Sequence, residues 1–355
     1  MNGWTKAELA ERLQVSRQFV HALEIGEKTP SNDLLPALAL VLRVQPAFFT
    51  SALEGEVREG ECHFRSRRNM PDKLAEQITA HGTAVESLVR YLERSLTLPK
   101  VDFPHIEVES DEETEAAAEK CRLHWQLGSG PIANMCRVLE NAGAVVTFFN
   151  SSRHEVDALS IARARPLIVR NTLKESPGRL RFDLGHECGH LVIHQGIETG
   201  DKETEAQANR FASAFLMPCE SFRQEFPVMP GRLNWHAIYS LKLRWRVSAK
   251  AIIRRARDLG RLNDAQYAAG NRFLNQSGQA RTERYDDRLP MEQPELIETA
   301  VRAYVHSTNT SLMELAGRIG MTPAMFWQIA GDTHGGRKRD WSRNSHAADD
   351  EIVIN

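Results

Sequence analysis

GHECGHLVIH, Gly185–His194, is the stretch whose reading decides the fold. His186 and His190 are four residues apart, so on a helix they lie about 40° apart on one face, one turn removed. Two imidazoles at that spacing can reach one metal ion, with Glu187 beside them to take a proton from water. A catalytic zinc needs a third protein ligand and an open fourth position. ETEAQANRFASAFLMP (Glu203–Pro218) reads as the next helix. It offers Glu205 as that ligand, and Asn209, one turn on, can hydrogen-bond a ligand from behind. The competing reading is a buried helix carrying unrelated polar residues.

Neighbouring residues narrow the ligand set. A metzincin pattern would require histidine at position 196, which is Gly196. His194 lies further around the helix; it reads as a C-terminal residue bonding carbonyls, with rotation toward the metal as the alternative. Cys188 points away from the ligand face and reads as packing.

The bulk composition sets outer bounds. A chain of 355 residues can bury one large core or two to three smaller ones. With 41% hydrophobic and 26% charged residues, the chain reads as a soluble globular protein. A net charge of −2 excludes a global attraction to nucleic acid, so DNA contact requires a local surface. Cys62, Cys121, Cys136, Cys188 and Cys219 are scattered and form no CxxC, against a disulfide framework or a cysteine zinc knuckle. No signal peptide and no run of about 20 apolar residues is present, so a cytosolic protein without a membrane partner is expected.

Along the chain, residues 1–50 read as short helices: TKAELAERL, RQFVHALEIG and SNDLLPALALVLRV. Pro71–Leu96 has helical periodicity, and LPKVDFPHIEVESDEE is a Pro-punctuated acidic linker. Glu115–Gln126 and Ile132–Ala142 read as helices, and Val145–Phe149 and Leu167–Asn171 as strands. Helices are expected over Leu180–His194 and Lys202–Met217, and nearly everywhere from Trp235 onward. The closing GDTHGGRKRDWSRNSHAADDE reads as a disordered tail. KAIIRRARDLGR reads as a solvated basic face in preference to a DNA-contacting one, and FRSRR (Phe64–Arg68) fits either. ELAERLQVSRQFVHAL (Glu8–Leu23) aligns without gaps with ELAGRIGMTPAMFWQI (Glu314–Ile329). Ser16 and Thr322 match as N-caps, and the pair reads as unrelated amphipathic helices or as two helix-turn-helix-like units.

RPLIVRNTLKESPGRLRFDLGHECGHLVIH followed by EAQANRFASAFLMP resembles the ImmA/IrrE family of metallo-endopeptidases. The resemblance runs upstream through EKCRLHWQLGSGPIANMCRVLENAGAVVTFF and downstream through LKLRWRVSAKAIIRRARDLG, covering about residues 115–270. It implies zinc held by His186, His190 and Glu205, with Glu187 as the base, and a partner transcriptional repressor as substrate. Such cleavage switches on stress or mobile-element genes. An oxyanion donor is also needed, and His236 and Tyr239 are candidates by residue type.

AELAERLQVSRQFVHALEIGEKTPS (Ala7–Ser31) resembles the Cro/repressor-type helix-turn-helix of the XRE family. Ala10 is small enough for close helix packing, Val15 and Val20 fill the interior, and Ser16 caps the second helix. Arg17, Gln18 and His21 would face the major groove. Five Lys/Arg balance five Asp/Glu in residues 1–50, so phosphate-driven affinity is small. Only MNGWTK precedes the motif, so either a short first helix leaves one side of the helical bundle uncovered or the true start lies upstream.

The expected architecture is mostly α with a small β-sheet (α+β). It comprises a helix-turn-helix domain at 1–52, a helical linker at 53–114, a zincin-like HExxH peptidase domain at 115–270, a helical region at 271–336 and a tail at 337–355. The expected function is a DNA-binding regulator fused to a peptidase with one zinc per chain and a repressor-type protein substrate; an oligomer is compatible with it. The alternatives are a transcription factor whose peptidase-like domain senses a ligand or metal, and a general metallo-hydrolase with a docking module. Glu187 favours the enzyme, because a structural zinc would not need it.

Overall fold

A computed structural model describes residues 4–49, 55–58, 61–63, 71–149, 158–171, 176–197, 199–330 and 353–354. The fold is mostly α with a small β-sheet, as expected. In chain order the elements are α1 (Lys6–Leu13), α2 (Arg17–Glu24), α3 (Leu34–Leu42), β1 (Cys62–His63), α4 (Asp72–Glu93) and β2 (Leu96–Thr97). There follow α5 (Asp111–His124), α6 (Met135–Asn141), β3 (Val145–Phe149), β4 (Ala158–Ile161), β5 (Leu167–Asn171), α7 (Pro177–Ile193) and α8 (Lys202–Leu216). The remainder is α9 (Cys219–Glu225), α10 (Trp235–Trp245), α11 (Ala249–Asp258), α12 (Asp264–Gln276), α13 (Leu296–Thr308), α14 (Leu312–Arg318), α15 (Pro323–Ala330) and β6 (Val353–Ile354). These form two compact units: Met1–Glu59 with Pro71–Leu98 and Leu296–Asn355, and Gly60–Met70 with Pro99–Glu295. The stretch expected as a linker at 53–114 is thus shared between both units.

In the first unit, local capping sets the helix starts. Thr5 and Glu8 close a capping box on α1, and the Ser16 hydroxyl accepts from Phe19 N on α2, as the sequence leads one to expect. Ala10 and Val20 are buried where α1 packs on α2, and Val15 is half-buried. Leu9, Leu13, Val20, Leu38, Ala84 and Met325 line a cleft of about 840 Å³. The C-terminal echo is structural: α14 and α15 start at the residues aligned with the starts of α1 and α2. Ser311 and Glu314 repeat the capping box, and the Thr322 hydroxyl accepts from Met325 N. This repeat is joined to the residues after α3, where Gln45 N donates to Gly320 O and the Thr322 hydroxyl to Arg43 O. Of the tail expected at 337–355, only Val353–Ile354 is described, and it pairs antiparallel with Leu96–Thr97. FRSRR lies outside the described residues.

The second unit holds a four-stranded sheet in the order β1-β4-β5-β3. β3 and β5 are parallel, Val145 opposite Leu167, whereas β4 runs antiparallel to β5, Ile161 opposite Leu167. Val145, Val146, Leu159, Ile161, Leu167, Ile168 and Val169 are buried, as continuous apolar runs require. β4 was not foreseen, because four residues are too few to show a period. Against the sheet lies α7, started by Pro177 at its first turn. Gly185 and Gly189 bring α7 and α8 close together: a Cβ on Gly185 would meet Ala212 Cβ at 3.3 Å, and one on Gly189 would meet Ala208 Cα at 3.3 Å.

The basic segment in α11 departs from the expected solvated face. Arg254 and Arg257 pair with Asp258 and Asp264 at the surface, but Arg255 is fully buried. It holds the Glu115 carboxylate through both terminal nitrogens, at 2.6 and 2.8 Å, and donates to Met217 O. A buried guanidinium persists where a bidentate acid and a carbonyl satisfy its donors. Lys242, also buried, is held by Glu283 and Asp286, and Glu283 accepts from Lys250 N at the start of α11.

Candidate metal centre

The close approach of α7 and α8 places His186, His190 and Glu205 together, their ligating atoms all within 4.8 Å of one another. The two Nε2 atoms are 3.1 Å apart, and the Glu205 carboxylate lies 3.4 Å from each. Both imidazoles are buried. Burial would raise the Glu205 pKa, but hydrogen bonds and charge from His186 and His190 prevail and bring it down to about 2.

The atoms behind the cluster set which ring nitrogens face it. Asn209 Nδ2 donates to Glu205 O at 2.7 Å, which turns its Oδ1 toward His186 Nδ1 at 3.2 Å. His186 Nδ1 therefore carries the proton. His194 Nε2 donates to Gln207 Oε1 at 2.8 Å, leaving its Nδ1 to accept from His190 Nδ1 at 2.9 Å. When the two rings lose the charge that acts on Glu205, as metal binding requires, His186 and His190 both direct Nε2 at one point, beside a carboxylate. Such a cluster of acceptors calls for a cation, and two imidazoles with one carboxylate form a donor set suited to zinc.

His194 thus has a role that the sequence reading did not give it. It is buried and bonds a neighbouring imidazole, because Gln207 on α8 takes the other side of its ring. Its partner is thirteen residues away on another helix, beyond the reach of spacing arguments.

Glu187 is fully buried, and burial first of all raises its pKa to about 7, against the lowering influence of His186. Its Oε2 closes no hydrogen bond among the described residues. The Ser160 hydroxyl on β4 is near enough to lower this pKa but likewise closes no bond. A carboxyl titrating near neutrality can both take and return a proton. Cys188 is buried on the packing side of α7.

His236 and Tyr239 are placed differently from the sequence expectation. The Tyr239 hydroxyl donates to Gln279 Oε1 at 2.9 Å, and His236 is exposed at the start of α10. Neither contributes a contact to the cluster among the described residues. Residue type could not foresee that Gln279, forty residues on, would take the Tyr239 hydroxyl. Arg17, Gln18 and His21 are all exposed on α2, a side-chain set that can meet base edges. His21 Nδ1 lies 3.1 Å from Lys6 Nζ, which also pairs with Glu24.

The chain thus carries a helix-turn-helix module and an HExxH helix whose two histidines converge with Glu205 in a group that could hold a metal ion. Residues 139–257 match the family model of the IrrE N-terminal-like domain, a peptidase family, and residues 1–49 match the helix-turn-helix model. The chain therefore joins an XRE-type DNA-binding domain to an ImmA/IrrE peptidase-type domain. The matched peptidase segment is shorter than the resemblance expected over 115–270. No curated protein matches the chain. No described helix is long and apolar enough to cross a membrane.

Proposed function

We propose that this chain is a cytoplasmic DNA-binding regulator whose second unit is a zinc-dependent endopeptidase. Its substrate is a repressor-type transcription factor, and its setting a stress or mobile-element response. The observation that carries this reading is Glu187, a buried carboxyl raised to about 7, next to two imidazoles aimed with Glu205 at one point. His186, His190 and Glu205 would hold one zinc, which when bound supplies a Lewis acid for water and the scissile carbonyl. Glu187 takes the proton of the attacking water and returns it to the leaving amine. Asn209 and His194 keep the two imidazoles in the tautomer that binds metal. Arg17, Gln18 and His21 read the operator from α2, where arginine selects guanine and glutamine adenine.

The test is incubation of the zinc-loaded chain with candidate repressors, with and without chelator, beside Glu187→Gln. Cleavage that chelator abolishes and Glu187→Gln loses by about 10²–10⁴-fold supports the reading. Undiminished cleavage by Glu187→Gln refutes the assigned base.

A further inference from the structure

We propose that the cleft in the first unit binds a small molecule: a bulky organic anion with an apolar, ring-containing body and a carboxylate or sulfonate head. Every residue lining the cleft belongs to the unit that carries the helix-turn-helix, so the proposal is independent of the peptidase reading.

The sequence of α4 leaves this space open. Ala80, Ala84, Ser87 and Tyr91 all line the cleft, and their spacing puts them on one stripe of the helix. Three of the four are small. The Ser87 hydroxyl donates to Thr83 O and the Thr83 hydroxyl to Thr79 O, each at 2.9 Å, so both turn onto their own helix and the stripe stays apolar. Leu9 of α1, Leu23 of α2 and Leu42 of α3 reach the same cleft. Near it the residues after α3 meet the turn between α14 and α15 in backbone contact, where a Cβ on Gly320 would lie 2.9 Å from Phe48 Cα. Interiors are close-packed, and apolar walls left this far apart forgo contacts that a ligand supplies. The volume, about 840 Å³, suits a drug-sized molecule.

The lining chooses the ligand's chemistry. Trp4, Phe48, Phe49 and Tyr91 offer aromatic surface, which favours a ring system over a flexible chain. Among the described residues, the charged groups on the wall are Arg43, Arg94, Arg318 and Glu24. Glu24 is already met by Lys6 at 3.0 Å, so the three guanidiniums set the sign. Two of them gather round one phenol. Arg94 Cζ lies 5.9 Å from the centre of the Tyr91 ring. Arg318 Nη1 donates to the Tyr304 hydroxyl at 3.1 Å, which is itself 3.1 Å from the Tyr91 hydroxyl. A guanidinium has more N–H donors than one phenol oxygen takes, and a carboxylate or sulfonate accepts two at once.

Occupancy reaches the helix proposed to read DNA. Leu23 lines the cleft from α2, the helix that exposes Arg17, Gln18 and His21. A molecule in contact with Leu23 and with the α4 stripe joins α2 to the long helix, and so slows the local opening of α2.

The test uses the full chain and two fluorescent probes that share one ring system, anilinonaphthalene sulfonate and its uncharged parent phenylnaphthylamine. The anion should bind at one site per chain, about tenfold more tightly than the neutral dye. Arg94→Gln should weaken the anion about fivefold and leave the neutral dye unchanged. Ala80 is exposed on α4, so Ala80→Phe can fill the cleft without overpacking the core, and it should abolish binding of both dyes. Circular dichroism checks folding, and Arg94→Gln carries the test if Ala80→Phe does not fold. In the parent, bound anion should raise the hydrogen-exchange protection of α2 peptides, and in Ala80→Phe it should not. Anion affinity that is the same in the parent and both folded variants overturns the proposal, as does equal affinity of the parent for the two dyes. Loss of dye binding as the protein concentration rises would give the cleft to a second copy of the chain and overturns it as well.

Discussion

At the scale of single residues, the site is a set of ring tautomers fixed from behind. Gln207 holds His194, His194 holds His190, and Asn209 holds His186. Replacing His194 with phenylalanine keeps the ring volume and removes the acceptor for His190 Nδ1. Zinc affinity should fall about 10–100-fold, the range for residues that orient a metal ligand, while circular dichroism stays unchanged. Competition with a chromophoric chelator measures it; an affinity within twofold of the parent would show that His194 is mere packing. The convergence of His186 and His190 was legible in the sequence because four-residue spacing on one helix is a local fact. Glu205 was legible because its helix follows directly. The ring that orients His190 was not, since its assignment depends on Gln207 across a helix–helix contact. Tyr239 shows the opposite failure: its residue type suited an oxyanion donor, but its hydroxyl is spent on Gln279.

At the scale of elements, the contact between α7 and α8 decides whether the three ligands meet. On Gly189, a Cβ would come within 3.3 Å of Ala208 Cα and carbonyl oxygen, which are backbone atoms and cannot swing away. Gly189→Val should therefore cost about 1–3 kcal/mol by overpacking, against any helix propensity it gains. It should weaken zinc as well, because Ala208 lies one turn from Glu205 and moves with it. Urea unfolding and zinc titration on the same preparation test both; unchanged stability would mean the helices can part without loss. On α2, Arg17→Ala or Gln18→Ala should cost about 1–3 kcal/mol at a cognate operator and relax its preference, read by competition between operators. Equal operator binding after removal of residues 1–50 would refute the assignment of DNA reading to this module. Long helices and β-branched strands were legible from period alone. β1 and β4 were not, because a strand of two or four residues is made by its partner, not by its own pattern.

At the scale of the whole molecule, the two units differ in what holds them. The second is tied by buried ion pairs, Arg255 with Glu115 and Lys242 with Glu283. In the first, the echo between Glu8–Leu23 and Glu314–Ile329 is a helix pair that recurs with matching starts. Arg17, Gln18 and His21 align with Pro323, Ala324 and Trp327, so the second helix pair keeps the caps and carries other side chains at the positions proposed to read bases. α15 instead buries Met325, Phe326 and Ile329. The unit also contains an acid-sensitive residue. His81 on α4 is buried, and burial lowers its pKa from 6.5 to about 4. Between those two values the unfolded chain binds a proton that the folded chain refuses. Its contribution to stability is full above pH 6.5 and falls away as the pH drops toward 4, by up to about 3 kcal/mol. Other carboxylates and loss of metal also act in that range, so the difference from a variant isolates it. His81→Leu should flatten the loss in the first unit only. Hydrogen exchange of α4 peptides at pH 7.5 and 4.5 reads this directly, with α7 peptides as the internal comparison. A lower α4 protection factor at pH 4.5 in the parent, corrected for the intrinsic exchange rate at each pH and restored in His81→Leu, is the expected result. Identical acid responses in parent and variant would show that other groups set the acid limit of this unit.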